Sequence, residues 1–174
     1  MKKSEWMEWM KTIAAAVVLS LLITAFIRPT LVDGQSMYPT LDHHDYLMMY
    51  RQAYSGDKEP AVGDIIVFRS NLLTENGKRK NLVKRVIGVE GDHILVTGGR
   101  LFINGELQSE DYINGDYTDG EVDVVILPGY VFAMGDNRSN STDSRDESVG
   151  PVPKGEILGK VFLRLFPFNK VQGF

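Results

Sequence analysis

The chain has 174 residues, 43% of them hydrophobic, which suits one domain with a real core plus an appendage and excludes two large domains. A net charge of -4 and a pI near 5.4 argue against nucleic-acid binding, because phosphate recognition needs a clustered excess of Lys and Arg. With no cysteine there are no disulfides, thiolate metal sites or thiol nucleophile, and only three histidines are available for acid-base work.

The first element is apolar. "TIAAAVVLSLLITAFI", Thr12 to Ile27, carries no charge and as a helix covers roughly 24 Å, a little short of a ~30 Å hydrocarbon core. Trp6, Trp9 and Met10 on one flank and Arg28 on the other can supply the rest at the membrane interface. Lys2, Lys3 and Lys11 outweigh Arg28, so the positive-inside rule puts the N-terminus in the cytoplasm. The expected organisation is a cytoplasmic segment at 1–11, a transmembrane anchor at 12–28 that Pro29 ends, and an extracytoplasmic domain at 29–174. A cleaved secretory signal is the competing reading, but "FIRPTLVDG" offers no A-x-A-like cut site. A buried helix of a soluble domain would show a polar face, and this stretch has none.

Beyond Pro29, short β-branched and aromatic runs recur: "DYLMMYR", "DIIVFR", "LVKRVIGVE", "HILVTG", "RLFING", "VDVVIL", "YVFAMG" and "ILGKVFLRLF". Asn76-Gly77, Asn104-Gly105 and Asn114-Gly115 stand between them, residues suited to tight hairpin turns. Tyr54 to Ala61 and Leu73 to Asn81 read as exposed loops. The fold class is therefore mainly β, an antiparallel domain tethered by one N-terminal helix. Met37 and the Met48-Met49 pair, read as turns near the anchor, could rest on the bilayer or pack in the core.

"GQSMYPTL", Gly34 to Leu41, holds a serine that could be a nucleophile if some group takes its proton. His43 and His44 lie in a polar segment expected at a surface turn, and His93 starts a strand, so a Ser-His-Asp arrangement stays open without being favoured. Lys84 sits in "NLVKRVIGVEGD", where strand alternation puts Leu82, Lys84 and Val86 on one face and Arg85 on the other. It is either a surface lysine of an edge strand or a base. As a base it must be neutral, which from an ordinary pKa of ~10.4 costs roughly 4.6 kcal/mol at pH 7 unless the amine is desolvated. The polar stretch "MGDNRSNSTDSRDES", Met134 to Ser148, fits an EF-hand calcium loop poorly, since Arg138 and Ser141 occupy places that want Asp/Asn and Gly. No metal or other cofactor is expected.

Taken in order, "SMYPTL", "GDIIVF", "KRVIGVEGD" and "GDNRSNSTDSR" after one anchor resemble the sequence boxes of type I signal peptidases, in the short form typical of Gram-positive bacteria. The resemblance implies a membrane-bound Ser-Lys endopeptidase that removes signal peptides from secreted preproteins after Ala-X-Ala, with a fold of two packed antiparallel sheets. It implies Ser36 as nucleophile and Lys84 as general base. Ser141 would help position the lysine, and Asp143, Asp136, Arg145, Arg85 and Met37 would support the site. By motif position Val32, Leu82 and Val83 would line the substrate pockets. The long form carries an oxyanion-binding serine two residues before the nucleophile; here that residue is Gly34, so another donor is needed beside the Ser36 N–H. The partners implied are preproteins and the lipid bilayer, with the enzyme acting as a monomer. A self-cleaving Ser-Lys protease and a non-catalytic membrane-tethered β module are the alternatives.

Overall fold

The structure, a computed structural model, describes residues 3–174. Helix α1 (Lys3–Phe26) comes first, and its stretch Trp6–Phe26 is long and apolar enough to cross a membrane and is not buried by the rest of the chain. At ~1.5 Å per residue these 21 residues span roughly 31 Å, which removes the shortfall expected from Thr12–Ile27 alone. The helix stops at Phe26, ahead of Pro29. Its last carbonyl accepts a hydrogen bond from Arg51 N–H (2.9 Å), and the next residues leave as strand β1 (Ile27–Leu31), paired with β2 (Tyr46–Tyr50). The chain thus passes from helix to paired strand before Pro29 is reached, and Arg28 lies in that strand. Pro29 is tolerated there because β1 is the outermost strand of its sheet.

The remaining strands are β3 (Ile65–Leu73), β4 (Arg79–Gly88), β5 (His93–Thr97), β6 (Arg100–Ile103), β7 (Glu106–Leu107) and β8 (Val122–Val125). They are followed by β9 (Tyr130–Met134), β10 (Val152–Pro153), β11 (Ile157–Phe166) and β12 (Gln172–Gly173). The large sheet runs β1-β2-β11-β3-β4-β9-β10, with β12 added on β11. The small one runs β7-β6-β5-β8, and every pairing in both is antiparallel.

The core explains why β3 reads as an unbroken apolar run. Ile65 and Val67 pack on one side with Val32, Met37, Leu41, Leu47, Met49 and Val161, while Ile66 and Phe68 pack on the other with Leu82, Val86, Val131 and Ala133. A strand buried on both faces has no polar side to alternate with. Ile87, Phe132 and Met134 meet Ile94, Val96 and Leu101 of the small sheet, so the two sheets share a third cluster.

Three expectations change. Only Thr74–Lys78 form a turn, because Arg79–Asn81 already belong to β4. Tyr54 is half-buried, and its hydroxyl donates to Asp64 (2.7 Å), so the segment beginning there is anchored at one end. Met48 and Met49 lie in β2 rather than in a turn, and Met37 and Met49 fill the core beneath the Ser36 loop, where neither can touch a bilayer.

Candidate active site

Ser36 stands on the connection between β1 and β2. Val32 N–H donates to Asp45 O (3.0 Å) and His44 N–H to Val32 O (2.9 Å), so the two chains stay zipped past the end of the β1–β2 ladder. Gly34 then takes φ of +107°, a left-handed conformation that strains other residues and that turns the chain out of the strand direction. Met37 and Leu41 plug into the core on the far side, joined by Leu41 N–H to Met37 O (2.8 Å). The serine is thus held between two buried side chains, Val32 and Met37. Arg164 of β11 fixes the return of the loop, donating to Thr40 O (2.8 Å) and to Asp45 (3.0 Å).

Lys84 reaches this loop from β4. Its Nζ lies 2.6 Å from Ser36 Oγ, across 48 positions of sequence. The residue is 2% exposed and has no carboxylate within ion-pair distance among the described residues. Burial pulls its pKa from the usual lysine range down to about 8, with Asp143 pulling it back up and Lys80 and Arg145 adding to the fall. At pH 7 the cost of neutralising the amine is then roughly 1.4 kcal/mol instead of the ~4.6 of a solvated lysine. No histidine makes a hydrogen bond with Ser36 or Lys84 among the described residues. His43 accepts from Gly34 N–H, and His93 pairs with Asp123 at 2.6 Å, while His44 stacks on His43.

The loop after β9 closes one end of the site and pairs its charges. Asp143, fully buried, accepts from Arg145 Nε (2.9 Å) and Nη2 (2.9 Å), Gly135 N–H (2.9 Å) and Ser141 Oγ (2.7 Å). Burial alone would raise this carboxyl, but the Arg145 guanidinium and those donors hold it below the usual carboxylate range. Asp136 receives Arg85 through both oxygens (2.9 and 2.6 Å), and Arg85 also stacks 4.1 Å over the Tyr112 ring. The Ser141 hydroxyl is directed to Asp143, and among the described residues the one hydrogen bond of Lys84 Nζ is to Ser36. Gly135 is a close-approach position, since a Cβ there would collide with the Ser36 carbonyl and Ser141.

Val32, Leu82 and Val83 line one cleft of about 490 Å³ together with Ser36, Met37 and Lys84. Val32 and Leu82 are also core residues, so the apolar lining is the exposed rim of packed side chains. β9 pairs with β4 only at Arg85, Val86 and Gly88, which leaves the Asn81–Lys84 edge without a strand partner on that side among the described residues. The outer edge of β1 faces the same cleft through Thr30 and Leu31.

Two contributors escaped the sequence. Asn137 brackets the nucleophile, its N–H donating to Ser36 O (3.0 Å) and its Nδ2 to Gln35 O (3.1 Å). Its place inside "GDNR" was the available signal. Glu110 binds the buried Arg138 through both carboxylate oxygens, and no local pattern links residues so far apart.

The family described as "Signal peptidase, peptidase S26" matches residues 6–166. The chain belongs to that family. It is 37% identical to a signal peptidase I of Bacillus licheniformis, over 98% of this chain and 94% of the relative. Signal peptidase I S of Bacillus subtilis is 36% identical over 98% and 95%, and signal peptidase IB of Staphylococcus aureus is 35% identical over 98% and 94%. A crystal structure of an Enterococcus faecalis signal peptidase I superposes with a TM-score of 0.49 at 29% identity, over 60% of this chain and 98% of that one. Among the described residues the chain has one helix long and apolar enough to cross a membrane, attached to an antiparallel two-sheet body.

Proposed function

We propose that the protein is a single-pass membrane serine endopeptidase that cuts signal peptides from secreted preproteins after small residues, using Ser36 and Lys84. The observation that carries this reading is the 2.6 Å contact between a hydroxyl and a buried lysine that lacks a counter-ion among the described residues.

The preprotein segment enters the cleft extended and pairs with the unpartnered backbone of β4 at Asn81–Lys84 and of β1, the usual way a peptide adds to a sheet edge. Small side chains, as in Ala-X-Ala, fit shallow depressions lined by Val32, Leu82 and Val83. Neutral Lys84 Nζ accepts the Ser36 proton as Oγ attacks the scissile carbonyl, then returns it to the leaving amine, and water hydrolyses the acyl-enzyme. The Ser36 N–H has no acceptor among the described residues and is free to meet the oxyanion. Asp143, Asp136, Arg145, Arg85, Ser141 and Met37 hold the two reacting groups in register. Lys2, Lys3 and Lys11 place the N-terminus in the cytoplasm and the body, residues 29–174, outside; the side chains of Lys2 and Lys3 lie outside the described residues.

Purified full-length protein in detergent, mixed with a preprotein, tests the proposal. Cleavage at the small-residue site is expected from the wild type and not from Ser36→Ala. Equal cleavage by both would remove Ser36 from the chemistry, and no cleavage by either would favour a binding module.

A further inference from the structure

The Gly34 N–H two residues before the nucleophile does not pair with backbone. It donates 3.0 Å to Nδ1 of His43. The two bonds before it, Val32 N–H to Asp45 O and His44 N–H to Val32 O, extend the β1–β2 ladder, and the imidazole supplies the next rung where the backbone has already turned away. Only a neutral ring can supply it, because Nδ1 must carry a lone pair and its proton must sit on Nε2. We infer that His43 is a positioning residue for Ser36, holding the Gly34–Ser36 turn through Nδ1 and releasing it when the imidazole is protonated.

The inference rests on the Ser36–Lys84 reading and adds to it a second group whose charge governs cleavage. A ready alternative partner exists for the protonated ring. Asp33 Oδ1 lies 3.7 Å from Nδ1 on the exposed side of the turn. An imidazolium would donate to that carboxylate and repel the Gly34 N–H, so the ring has two arrangements with opposite effects on the loop. The other charged groups of the turn are committed elsewhere. Asp45 accepts from Asp42 N–H and Arg164, and Asp42 pairs with Lys170. His44 lies against the ring, with centroids 3.6 Å apart.

The test combines pH–rate profiles with nitrogen NMR of histidine-labelled full-length protein in detergent. Below the Lys84 midpoint, log kcat for the wild type should fall with a slope of about one and become steeper than one where His43 also takes up a proton. His43→Asn keeps an acceptor near the Nδ1 position and cannot titrate, so it should retain activity within about threefold at pH 8 and show a slope of about one throughout. His43→Ala should lose roughly tenfold in kcat with little change in KM, the mark of a misplaced nucleophile. Asp33→Asn should move the steepening to lower pH. The NMR signals should show His43 as the Nε2–H tautomer at pH 8. A wild-type slope of one with Ser36-dependent cleavage, an Asn variant that still steepens, or a proton on Nδ1 at pH 8 would each overturn the inference while leaving the Ser-Lys reading standing. Cleavage that survives Ser36→Ala would sink both.

Discussion

Two buried cationic regions meet at the end of β9, and they are built on opposite rules. In the Gly135–Arg145 loop each buried arginine has a carboxylate: Arg145 has Asp143, Arg138 has Glu110, and Arg85 of the neighbouring strand has Asp136. Lys84, one residue before Arg85, is just as buried, and its amine has only a serine hydroxyl as partner among the described residues. Compensation makes the first region a rigid scaffold. Its absence makes the second a base, since an amine denied both water and a counter-ion gives up its proton readily.

The strongest way to break the comparison is Lys84→Met. Cleavage should fall by about 10²–10⁴-fold, the range of a general base, while His44 and His93 substitutions at neutral pH leave most of it. Stability should move the other way. A lysine whose folded pKa, about 8, lies below its unfolded value destabilises the fold by about 3 kcal/mol at any pH below 8, and the penalty fades as pH rises through about 10.5. Removing it, less one lost hydrogen bond, should stabilise the protein by about 1–3 kcal/mol at pH 7 and by much less near pH 11. Denaturant melts of both proteins at the two pH values measure this. A variant that is inactive and also less stable would show that Lys84 is a structural cation like its neighbours.

Asp143→Ala tests the scaffold side. It leaves Arg145, 8% exposed at its side chain, without its partner, and should cost about 3–5 kcal/mol of folding stability. Replacing both residues, Asp143→Ala with Arg145→Met, should cost less than the single change, because an uncompensated charge is worse than none. If the double variant is the less stable one, the pair contributes attraction beyond mutual neutralisation.

The contrast between the regions also sets how much of the molecule could be read in advance. Eight strands announced themselves as apolar runs. β1 did not, because its Pro29 and its place directly after the apolar helix disguised a strand whose only claim is its pairing with β2. β7, β10 and β12 are two-residue pairings with no periodicity to detect. At the site, alternation put Lys84 among apolar residues on β4, but its meeting with Ser36 followed only from the resemblance. The paired region was least legible. Glu110 with Arg138 and Tyr112 beneath Arg85 join segments far apart in sequence, and such contacts leave no local signature.

The smallest expected effect separates dryness from charge as the origin of the Lys84 shift. Lys80 lies on the same strand as Lys84, lines the same cleft, and is exposed, so it is the one like charge that can be removed without opening the pocket. Two charges four strand positions apart across water interact by only about 0.3 kcal/mol. Lys80→Gln should therefore raise the midpoint of the pH–rate curve by about 0.2–0.3 and leave the plateau rate unchanged, an effect further reduced by salt. Because a lower midpoint means more neutral amine, the variant should lose less than about half of its activity at pH 7 and less than about a tenth at pH 9. A shift of a full pH unit or more would mean that repulsion rather than burial keeps the base uncharged, and the distinction between the compensated and the dry region would have to be redrawn around Lys80.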